Sequence, residues 1–562
     1  MEKGVQRVKC LLKRIYGDEK GSLAFDRILP QIQSFPKQPA SARGYFTQQD
    51  AILITYGDTL NKPGEAPLRT LHAFVGTNLK EVVSGIHFLP FFPYSSDDGF
   101  SVMDFLSIDP KLGDWDDVGA IGNDFQLAFD YVVNHFSSKG EWFENYLAGC
   151  SGFKDFAIEV DPSTDISMVT RPRSLPLLSE YRKKSGDVVN LWTTFSADQI
   201  DFNFKSVDVL EKMIDVLLFY VSKDASILRL DAIAYLWKEI GTSCVHLPQT
   251  HDMVKLLRSI LDLTAPDVII LSETNVPHDE NISYLGDNGD EAQMVYNFTL
   301  PPLLLHAFTT QDASFLSDWA KTLYLEAPDT TFFNFTASHD GIGVRPLEGI
   351  LEQQEIDRLV SLVKAHNGQV SYKNNPDGSE SPYELNITYV DAILAGEKIF
   401  QMEKFMASQA VQYVLPGVPA TYIHSLLGSR NWLAGVRRTD RARSINREKL
   451  NLQQVEAELN DSASLRANIF QAYCRLIQTR CQQPAFHPKA GFEIKDAGPR
   501  VFAIQRSCPE QTILTLTNIS RQKQRVELRE ISPGVSGIDL LTGKTVVAGL
   551  VDLGPYEYQW LV

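Results

Sequence analysis

The amino-acid sequence predicts an α/β protein: a (β/α)8 TIM barrel with an insertion domain after its third strand and a C-terminal antiparallel β domain. Between residues 51 and 423, short β-rich runs alternate with helix-compatible stretches, which is typical of a closed parallel sheet surrounded by helices. The alternation is interrupted once, at about 136–205. Beyond about residue 490 the hydrophobic period becomes two, as in antiparallel strands with one buried face.

The residues before the first predicted strand have helical periodicity. Val8, Leu11, Leu12 and Ile15 recur at helical spacing, and a second apolar set follows at 23–32. Exposure of these apolar faces to water would be unfavourable, so we expect a helical extension packed on the main domain.

Eight runs are candidates for barrel strands. They are residues 51–56, 85–93, 127–135, 226–235, 267–274, 294–298, 329–340 and the end of 406–423. The predicted division of the chain is a helical extension at 1–48, a barrel at 49–135 and 206–485, insertion domain B at 136–205, and a C-terminal β domain at 486–562.

Composition excludes several classes of protein. A chain of 562 residues is too long for one core and suits a large catalytic domain with smaller satellites. A formal net charge of −17 argues against nucleic acid and anionic membranes as partners. No apolar stretch approaches the roughly 20 residues that span a bilayer, and no signal-peptide core is present, so we expect a cytoplasmic protein. Six dispersed cysteines indicate reduced thiols, and neither they nor the histidines have metal-binding spacing.

The stretch Ser226–Tyr235, SILRLDAIAY, carries two charges inside an apolar run. Arg229 and Asp231 share one face of the predicted strand, at its C-terminal end. Buried parallel strands are usually continuous Val, Ile and Leu, so this pair indicates a functional site. The alternative is an ion pair that only stabilises the core.

Other charged motifs also fall at the ends of predicted strands. DYVVNH ends in His135, LSE ends in Glu273, and ASHD ends in His339 and Asp340. Barrel strands converge their C-terminal ends on one face, so these groups can meet Asp231 there. Three carboxylates in one pocket repel one another, which raises the pKa of at least one. One ionised and one protonated carboxyl group are what glycosyl transfer requires.

Four of these blocks, DYVVNH, RLDAIAY, LSETN and NFTASHD, resemble the conserved blocks of the α-amylase superfamily, glycoside hydrolase family 13, and occur in the same order. Within that family, PYSSDDGFSVMDF, VTRPRSLPLL and SINRE are similar to the sucrose phosphorylase group. The resemblance implies that Asp231 is the nucleophile, Glu273 the acid/base and Asp340 the transition-state stabiliser. It further implies that the glucosyl ring and Asp231 are held by Asp97, Phe100, His135, Arg229, His339 and Arg447.

Only residues in the loops around the predicted site indicate which molecule accepts the glucosyl group. In the sucrose phosphorylase group an arginine and a tyrosine contribute to the phosphate site, which points to Tyr235 and to either Arg171 or Arg173. We expect no metal and no organic cofactor, with inorganic phosphate as co-substrate. Asn134 stands where amylases often place a calcium ligand, but the sucrose phosphorylase group resembles metal-independent enzymes.

Two departures from sucrose phosphorylases concern the acceptor. Glu384 follows Tyr383 where those enzymes have glutamine, in a segment, 373–389, whose turn residues predict a mobile loop. The added negative charge should alter the acceptor pocket. The extension before residue 50 is the second departure.

Both departures resemble the glucosylglycerate phosphorylase branch, which implies conversion of 2-O-α-D-glucosyl-D-glycerate and phosphate into α-D-glucose 1-phosphate and D-glycerate. An anionic acceptor would need a cation near the pocket mouth. The candidates are Arg171, Arg173, Lys238 and His246.

Several alternatives stay open at this point. The donor could be sucrose, glucosylglycerol or sucrose 6-phosphate, the acceptor could be water, or the chain could be a non-catalytic carbohydrate-binding member of the superfamily. The expected partners are a small α-glucoside and phosphate, without nucleic acid or membrane, in a monomer or homodimer.

Overall fold

A computed structural model describes residues 2–40, 44–327, 329–375, 379–532, 534–535, 537–546 and 549–562. Its strands are β1 (Ile52–Thr55), β2 (Leu60–Asn61), β3 (Gly85–Phe88), β4 (Gln126–Tyr131), β5 (His135–Ser137), β6 (Leu178–Arg182), β7 (Val188–Trp192), β8 (Gln199–Asp201), β9 (Ala225–Leu230), β10 (Ile269–Ser272), β11 (Met294–Tyr296), β12 (Thr331–Phe335), β13 (Ile342–Gly343), β14 (Gln369–Asn374), β15 (Glu380–Asn386), β16 (Val418–Tyr422), β17 (Leu450–Asn451), β18 (Gly491–Lys495), β19 (Val501–Cys508), β20 (Gln511–Asn518), β21 (Gln524–Glu527), β22 (Leu550–Leu553) and β23 (Tyr558–Leu561).

The α-helices lie mostly between these strands. They are α1 (Glu2–Tyr16), α2 (Asp18–Ser34), α3 (Pro67–Asn78), α4 (Trp115–Gly122), α5 (Glu141–Leu147), α6 (Val207–Ser222), α7 (Pro248–Thr264), α8 (His278–Ile282), α9 (Leu300–Thr310), α10 (Ser314–Ala320), α11 (Gln353–Ala365), α12 (Tyr389–Leu394), α13 (Gln401–Val414), α14 (Ile423–Leu426), α15 (Leu433–Thr439), α16 (Leu452–Leu459), α17 (Leu465–Cys481) and α18 (Leu528–Ile531). Among the described residues, none of these helices combines the length and hydropathy needed to cross a bilayer.

Eight parallel strands close into a barrel in the order β1, β16, β12, β11, β10, β9, β4, β3, with β3 returning to β1. Each strand overlaps one of the eight runs predicted from the sequence, so the predicted barrel is confirmed. The strands are short and nearly all of their residues are buried, because helices cover the outside and side chains fill the inside. Their C-terminal ends therefore converge on one face.

The N-terminal helices pack against the outside of the barrel. Helix α1 lies on α7 and α2 lies on α6. The buried face of α1 consists of the apolar residues at helical spacing, including Val8 and Leu12. Arg14 donates to Asp252 of α7 at 2.7 Å, and Arg27 pairs with Asp208 of α6 at 2.7 Å. Hydrophobic contact and ion pairs together hold the two helices on the barrel.

The segment 136–205 is more regular than its sequence suggests. Strand β5 pairs with β8, and β6 forms a hairpin with β7. The turn of that hairpin is closed by a hydrogen bond from the Lys183 amide to the Asp187 carbonyl at 2.8 Å, with Gly186 at a φ of 98°. Strand β6, LSEYR, is polar and partly exposed, whereas β7, VVNLW, is mostly apolar and ends in the buried Leu191 and Trp192. The divisions between domains stay predictions.

The C-terminal region confirms the predicted antiparallel β architecture. A four-stranded sheet has the order β18, β19, β20, β23, and β21 pairs with β22 beside it. From β19, the buried Arg506 donates to the carbonyl of Val414, at the end of α13, at 2.9 Å. The sheet is thereby hydrogen-bonded to the barrel.

A second buried arginine lies under the barrel. Arg480 of α17 donates to the carbonyls of Asp50 and Gly417, at 2.9 and 3.1 Å, and its side chain is fully buried. These carbonyls belong to the residues just before β1 and β16. One guanidinium therefore joins the beginnings of the first and the last strand of the barrel.

Residues 373–389, predicted to be a mobile loop, lie largely in a small sheet. Strand β15 pairs with both β13 and β14, and both Tyr383 and Glu384 belong to it. The expectation of a loop is wrong for the residues in β14 and β15. The turn-forming residues mark only the connection between these two strands. Positions 376–378 lie outside the described residues.

Candidate active site

A pocket opens at the C-terminal ends of the barrel strands. It is lined by eleven of the predicted site residues: Asp97, Phe100, His135, Arg173, Asp231, Tyr235, Glu273, His339, Asp340, Tyr383 and Glu384. Arg229 and Arg447 are buried against carboxylates of this group and do not reach its surface. Arg171 does not line the pocket, because its guanidinium is bonded to the Leu175 carbonyl.

The catalytic candidates stand where strand pairing ends. Asp231 directly follows β9, and its amide donates to the Tyr131 carbonyl of β4 at 3.2 Å. Glu273 follows β10, and its amide donates to the Leu230 carbonyl at 3.2 Å. The barrel backbone thus fixes the origin of both side chains. Glu273 is held further by the Ala232 amide, 2.9 Å from its Oε2.

Arg229 is the cation beneath these carboxylates. Its Nη1 lies 2.9 Å from Asp231 Oδ1, whereas its Nη2 lies 3.9 Å from Glu273 Oε1. The same Nη1 also binds Asp130, which is fully buried and lies 3.2 Å from His87. Asp130 was missed in the sequence, although a carboxylate inside the apolar strand LAFDY is the same kind of signal as Asp231.

The two carboxyl groups both have a raised pKa, and their distances to Arg229 distinguish them. Burial raises the pKa of Glu273 to about 7, and the nearby carboxylates add to this effect. Burial also raises the pKa of Asp231 to about 7, and Arg229 opposes the rise in both groups but donates a hydrogen bond only to Asp231. Because Arg229 is closer to Asp231, the negative charge is favoured there and the shared proton is favoured on Glu273.

Asp340 has a different environment. Burial acts to raise its pKa, but the guanidinium groups of Arg443 and Arg447 hold the pKa below its ordinary value. Arg443 Nη1 lies 2.5 Å from Asp340 Oδ1, and Arg447 Nη2 lies 3.8 Å from the same atom. Asp340 is therefore an ionised carboxylate at the edge of the pocket.

The side chains predicted to hold the glucosyl ring form a compact group. Phe100 stacks on His339 with ring centroids 4.6 Å apart and an 8° angle between planes. His135 Nε2 lies 2.9 Å from the Phe100 carbonyl and 3.1 Å from Gln199 Nε2. Burial lowers the pKa of both histidines, so both imidazoles are neutral at neutral pH. Gln199 lines the pocket as well and was not predicted.

Arg447 pairs with Asp98 more closely than with Asp97. Its Nη1 lies 2.7 Å from Asp98 and 3.7 Å from Asp97. The prediction placed Asp97 and Arg447 at the glucosyl ring, and of the two aspartates only Asp97 lines the pocket. Both aspartates have positive φ, at 53° and 49°, so the turn that presents them is strained.

A serine cage around Asp198 holds this turn. Asp198 accepts from the hydroxyl groups of Ser95, Ser96 and Ser101 at 2.6, 2.5 and 3.0 Å, and from Ser138 at 2.6 Å. Three of the serines flank the strained aspartates, so one carboxylate from the 136–205 segment fixes the loop that carries Asp97 and Phe100. This role was not visible in the sequence.

Replacing Asp198 by alanine is expected to lower kcat/KM for the glucosyl donor about ten- to hundredfold, because the loop that presents Asp97 would be less well placed. Steady-state kinetics would measure it, with circular dichroism to check the fold. Ser138→Ala removes one hydrogen bond of the cage and is the matched control with a smaller expected loss. Unchanged kinetics in the Asp198 variant would show that the cage does not position the loop.

Of the two arginines predicted to bind the acceptor, Arg173 lines the pocket and Arg171 does not. We call the part of the pocket around Arg173 the acceptor end. Near it lie Tyr235 and Tyr383, and Phe195 meets Tyr235 edge to face at 5.6 Å. The other two proposed cations do not line this pocket. Lys238 is buried against Asp201 and Asn134, and His246 is bonded to Glu280 and Tyr284.

Glu384 is paired inside the protein. Arg443 binds it with two hydrogen bonds, Nε to Oε1 at 2.9 Å and Nη2 to Oε2 at 2.6 Å. The expectation that Glu384 adds a negative charge to the acceptor pocket is therefore corrected: a guanidinium neutralises that charge. Arg443 was missed because the block SINRE, which contains Arg447, begins one residue after it.

The fold and the site define a class of protein. A barrel with an arginine-bound carboxylate, a second carboxyl group whose pKa is raised to about 7 and a third held by arginines is an enzyme that acts on glycosidic bonds. Residues 79–345 match the model of the α-amylase catalytic domain. The chain is 46% identical to a glucosylglycerate phosphorylase of Spirochaeta thermophila, over 99% of this chain and 98% of that protein.

A second glucosylglycerate phosphorylase, from Escherichia coli, is 43% identical over 99% of this chain and 100% of its own length. Among solved structures, a sucrose 6F-phosphate phosphorylase from Thermoanaerobacter thermosaccharolyticum superposes with a TM-score of 0.73 at 26% identity, covering 84% of this chain and 94% of that one. The chain belongs to the α-amylase family, glycoside hydrolase family 13.

Proposed function

We propose that the protein catalyses phosphorolysis of 2-O-α-D-glucosyl-D-glycerate to α-D-glucose 1-phosphate and D-glycerate, with retention of configuration. The observation that carries the proposal is identity of 43 to 46% with glucosylglycerate phosphorylases over nearly the whole chain. The sucrose phosphorylase of Agrobacterium vitis is further away, at 30% identity over 80% of this chain.

In the first half-reaction, Asp231 is the proposed nucleophile. Its carboxylate oxygen forms a bond to C1 of the glucosyl group while the bond from C1 to O2 of glycerate breaks. The electron pair of the broken bond stays on that oxygen, which takes the proton from Glu273. The raised pKa of Glu273 and the direct contact of Arg229 with Asp231 support this division of roles.

In the second half-reaction, phosphate is the proposed nucleophile. One of its oxygens forms a bond to C1 while the ester bond from C1 to Asp231 breaks, and the phosphate proton passes to Glu273. Two inversions at C1 restore the α configuration. Arg173 and Tyr235 are the proposed phosphate ligands, because both line the acceptor end of the pocket.

The remaining groups of the pocket are proposed to hold the glucosyl ring. Phe100 offers an apolar face to the C–H surface of the pyranose, and the carboxylates of Asp97 and Asp340 suit its hydroxyl groups. His135 and His339 are buried and neutral, and His339 Nδ1, which has no hydrogen-bond partner among the described residues, can serve a sugar hydroxyl as donor or acceptor.

We also propose that no metal or organic cofactor takes part. The Lys238 ammonium lies 2.8 Å from Asn134 Oδ1 and 2.6 Å from Asp201 Oδ2. A positive charge thus already occupies the place between the two oxygen donors that a cation would need. The proposed location is the cytoplasm, since an anionic sugar phosphate does not cross an apolar bilayer.

The test is to incubate the protein with phosphate and, in separate reactions, glucosylglycerate, sucrose, glucosylglycerol and sucrose 6-phosphate. Glucose 1-phosphate and free glucose are then quantified. We expect glucose 1-phosphate from glucosylglycerate at a rate at least about tenfold above the other donors, since only its leaving group places a carboxylate on the acceptor side.

Release of glucose 1-phosphate from sucrose instead would support the sucrose phosphorylase alternative. Free glucose at a rate independent of phosphate would identify a hydrolase, and absence of turnover on every donor would support a carbohydrate-binding protein. Gel filtration with light scattering decides between the proposed monomer and homodimer.

A further inference from the structure

Arg443 holds two carboxylates at the boundary between the sugar and acceptor ends of the pocket. Two of its nitrogens bind Glu384, and the third lies 2.5 Å from Asp340 Oδ1. Arg443, Glu384 and Asp340 all line the pocket, so this group contacts the space that the reacting molecules occupy.

Because Glu384 lies on a strand, the backbone fixes the position of its ion pair with Arg443. Strand β15 places Glu384 opposite Gly343 of β13 and opposite Ser371 of β14. The Gly341 amide donates to Glu384 Oε1 at 3.2 Å, and the residue is only 1% exposed. Backbone pairing, an amide and a guanidinium therefore hold this carboxylate in one place.

The charge of Glu384 needs a partner because water does not reach it. Burial acts to raise the pKa of Glu384, but the adjacent Arg443 guanidinium holds it below its ordinary value. Glu384 is thus ionised, and Arg443 is the cation that is hydrogen-bonded to it.

Arg173 is the cation that this arrangement leaves for the acceptor. It lines the pocket and makes no hydrogen bond or ion pair within the described part of the chain. Its charge acts on Tyr383, Glu384 and Asp340, which places it at the acceptor end.

We propose that Arg443 determines the preference for anionic acceptors by neutralising Glu384, so that an incoming anion meets the Arg173 guanidinium and not an uncompensated carboxylate. The inference rests on the proposed function, in which D-glycerate and phosphate occupy the acceptor end in turn. Both are anions, so one charge arrangement serves both half-reactions. Water is neutral, so this charge arrangement does not favour water as an acceptor.

The expected size of the effect follows from the separation of the charges. A buried carboxylate within about 5 Å of an anion, at an effective dielectric constant of about 20, weakens its binding on the order of a hundredfold. The loss should therefore be large for phosphate and glycerate and small for neutral acceptors of the same size.

The experiment uses α-D-glucosyl fluoride as donor, which forms the glucosyl-enzyme with fluoride as leaving group. All acceptors then compete for one common intermediate, so any effect of a variant on forming it cancels in the product ratio. Phosphate, D-glycerate, glycerol and water are compared, and glycerol is the neutral counterpart of glycerate. The variants are Arg443→Met, Arg443→Lys, Glu384→Gln and the double variant Arg443→Met/Glu384→Gln.

We expect Arg443→Met to lower the ratio of glucose 1-phosphate to glucose about ten- to hundredfold, with a parallel loss of transfer to glycerate and a smaller loss to glycerol. The double variant should recover most of the ratio, because the uncompensated charge is gone. Arg443→Lys should give an intermediate ratio of glucose 1-phosphate to glucose, because lysine supplies the charge without the two-pronged hydrogen bond. Glu384→Gln should raise this ratio.

An equal loss for phosphate, glycerate, glycerol and water in Arg443→Met would overturn the proposal and leave Arg443 a structural residue. Failure of the double variant to recover the ratio would also overturn it. If Arg443→Met does not fold, the other two single variants decide. A lowered ratio of glucose 1-phosphate to glucose in Arg443→Lys and a raised ratio in Glu384→Gln would support the proposal, and unchanged ratios would overturn it. A wild-type enzyme that transfers to phosphate but does not prefer glycerate to glycerol would contradict the proposed function, while its phosphate-to-water ratio still tests Arg443.

Discussion

Replacing Asp231 by asparagine is expected to lower kcat/KM for glucosylglycerate about 10⁴- to 10⁶-fold, the range seen when a covalent nucleophile is removed. Asparagine has nearly the same shape but cannot form the ester to C1, and Arg229 would lose the carboxylate that lies 2.9 Å from it. The measurement is the rate of glucose 1-phosphate release under single-turnover and steady-state conditions.

Asp287→Asn is the matched control, because it makes the same chemical change at a side chain that is 92% exposed. It should leave kcat/KM within about twofold, as surface substitutions usually perturb little. A folded Asp231→Asn enzyme with more than about one hundredth of the wild-type rate would mean that another group attacks C1. Covalent labelling by a fluorinated glucosyl donor should also disappear in the variant.

The second large effect is expected for Glu273→Gln, which should lower kcat/KM for glucosylglycerate about 10²- to 10⁴-fold. Glutamine cannot give a proton to the leaving oxygen of glycerate. With α-D-glucosyl fluoride the loss in the first half-reaction should be much smaller, because fluoride leaves without a proton. Comparison of the two donors in pre-steady-state kinetics measures the difference.

The pH dependence follows from the same residue. The pKa of Glu273 is raised to about 7, so the protonated form that can act as the acid is present below pH 7 and is lost above it. We therefore expect kcat/KM for glucosylglycerate to fall as the pH rises through about 7, and Glu273→Gln to lose this alkaline limb. An alkaline limb that persists in the variant would assign the titration to another group.

The fold was predictable because its signals are local. Buried strands of a parallel sheet are mostly apolar, so most of the barrel strands appear in the sequence as short runs rich in Val, Ile, Leu and Phe. The C-terminal ends of such strands meet at one face of a barrel, which is why Asp231 and Glu273 could be placed together without coordinates. The β6–β7 hairpin was not predicted, because β6 is polar and partly exposed and the apolar run of β7 is interrupted by Asn190.

The missing parts of the site depend on partners that are distant in the chain. Glu384 and Arg443 are 59 positions apart, and Asp198 is 97 to 103 positions from three of its serines. The block SINRE indicates Arg447, but no local pattern distinguishes Arg443 from the neighbouring Arg441. Which of them meets a carboxylate is settled by packing, and so the charge of the acceptor pocket could not be obtained from residue types.

The closure of the barrel sets the order in which the chain can fold during its synthesis. Strand β1 is complete at Thr55, but one of its two neighbours, β16, ends at Tyr422. Until then one edge of β1 stays unpaired, and Arg480, which joins the starts of both strands, emerges later still. The nascent chain therefore carries an unpaired strand edge, with free backbone N–H and C=O groups, until Tyr422 has been synthesised.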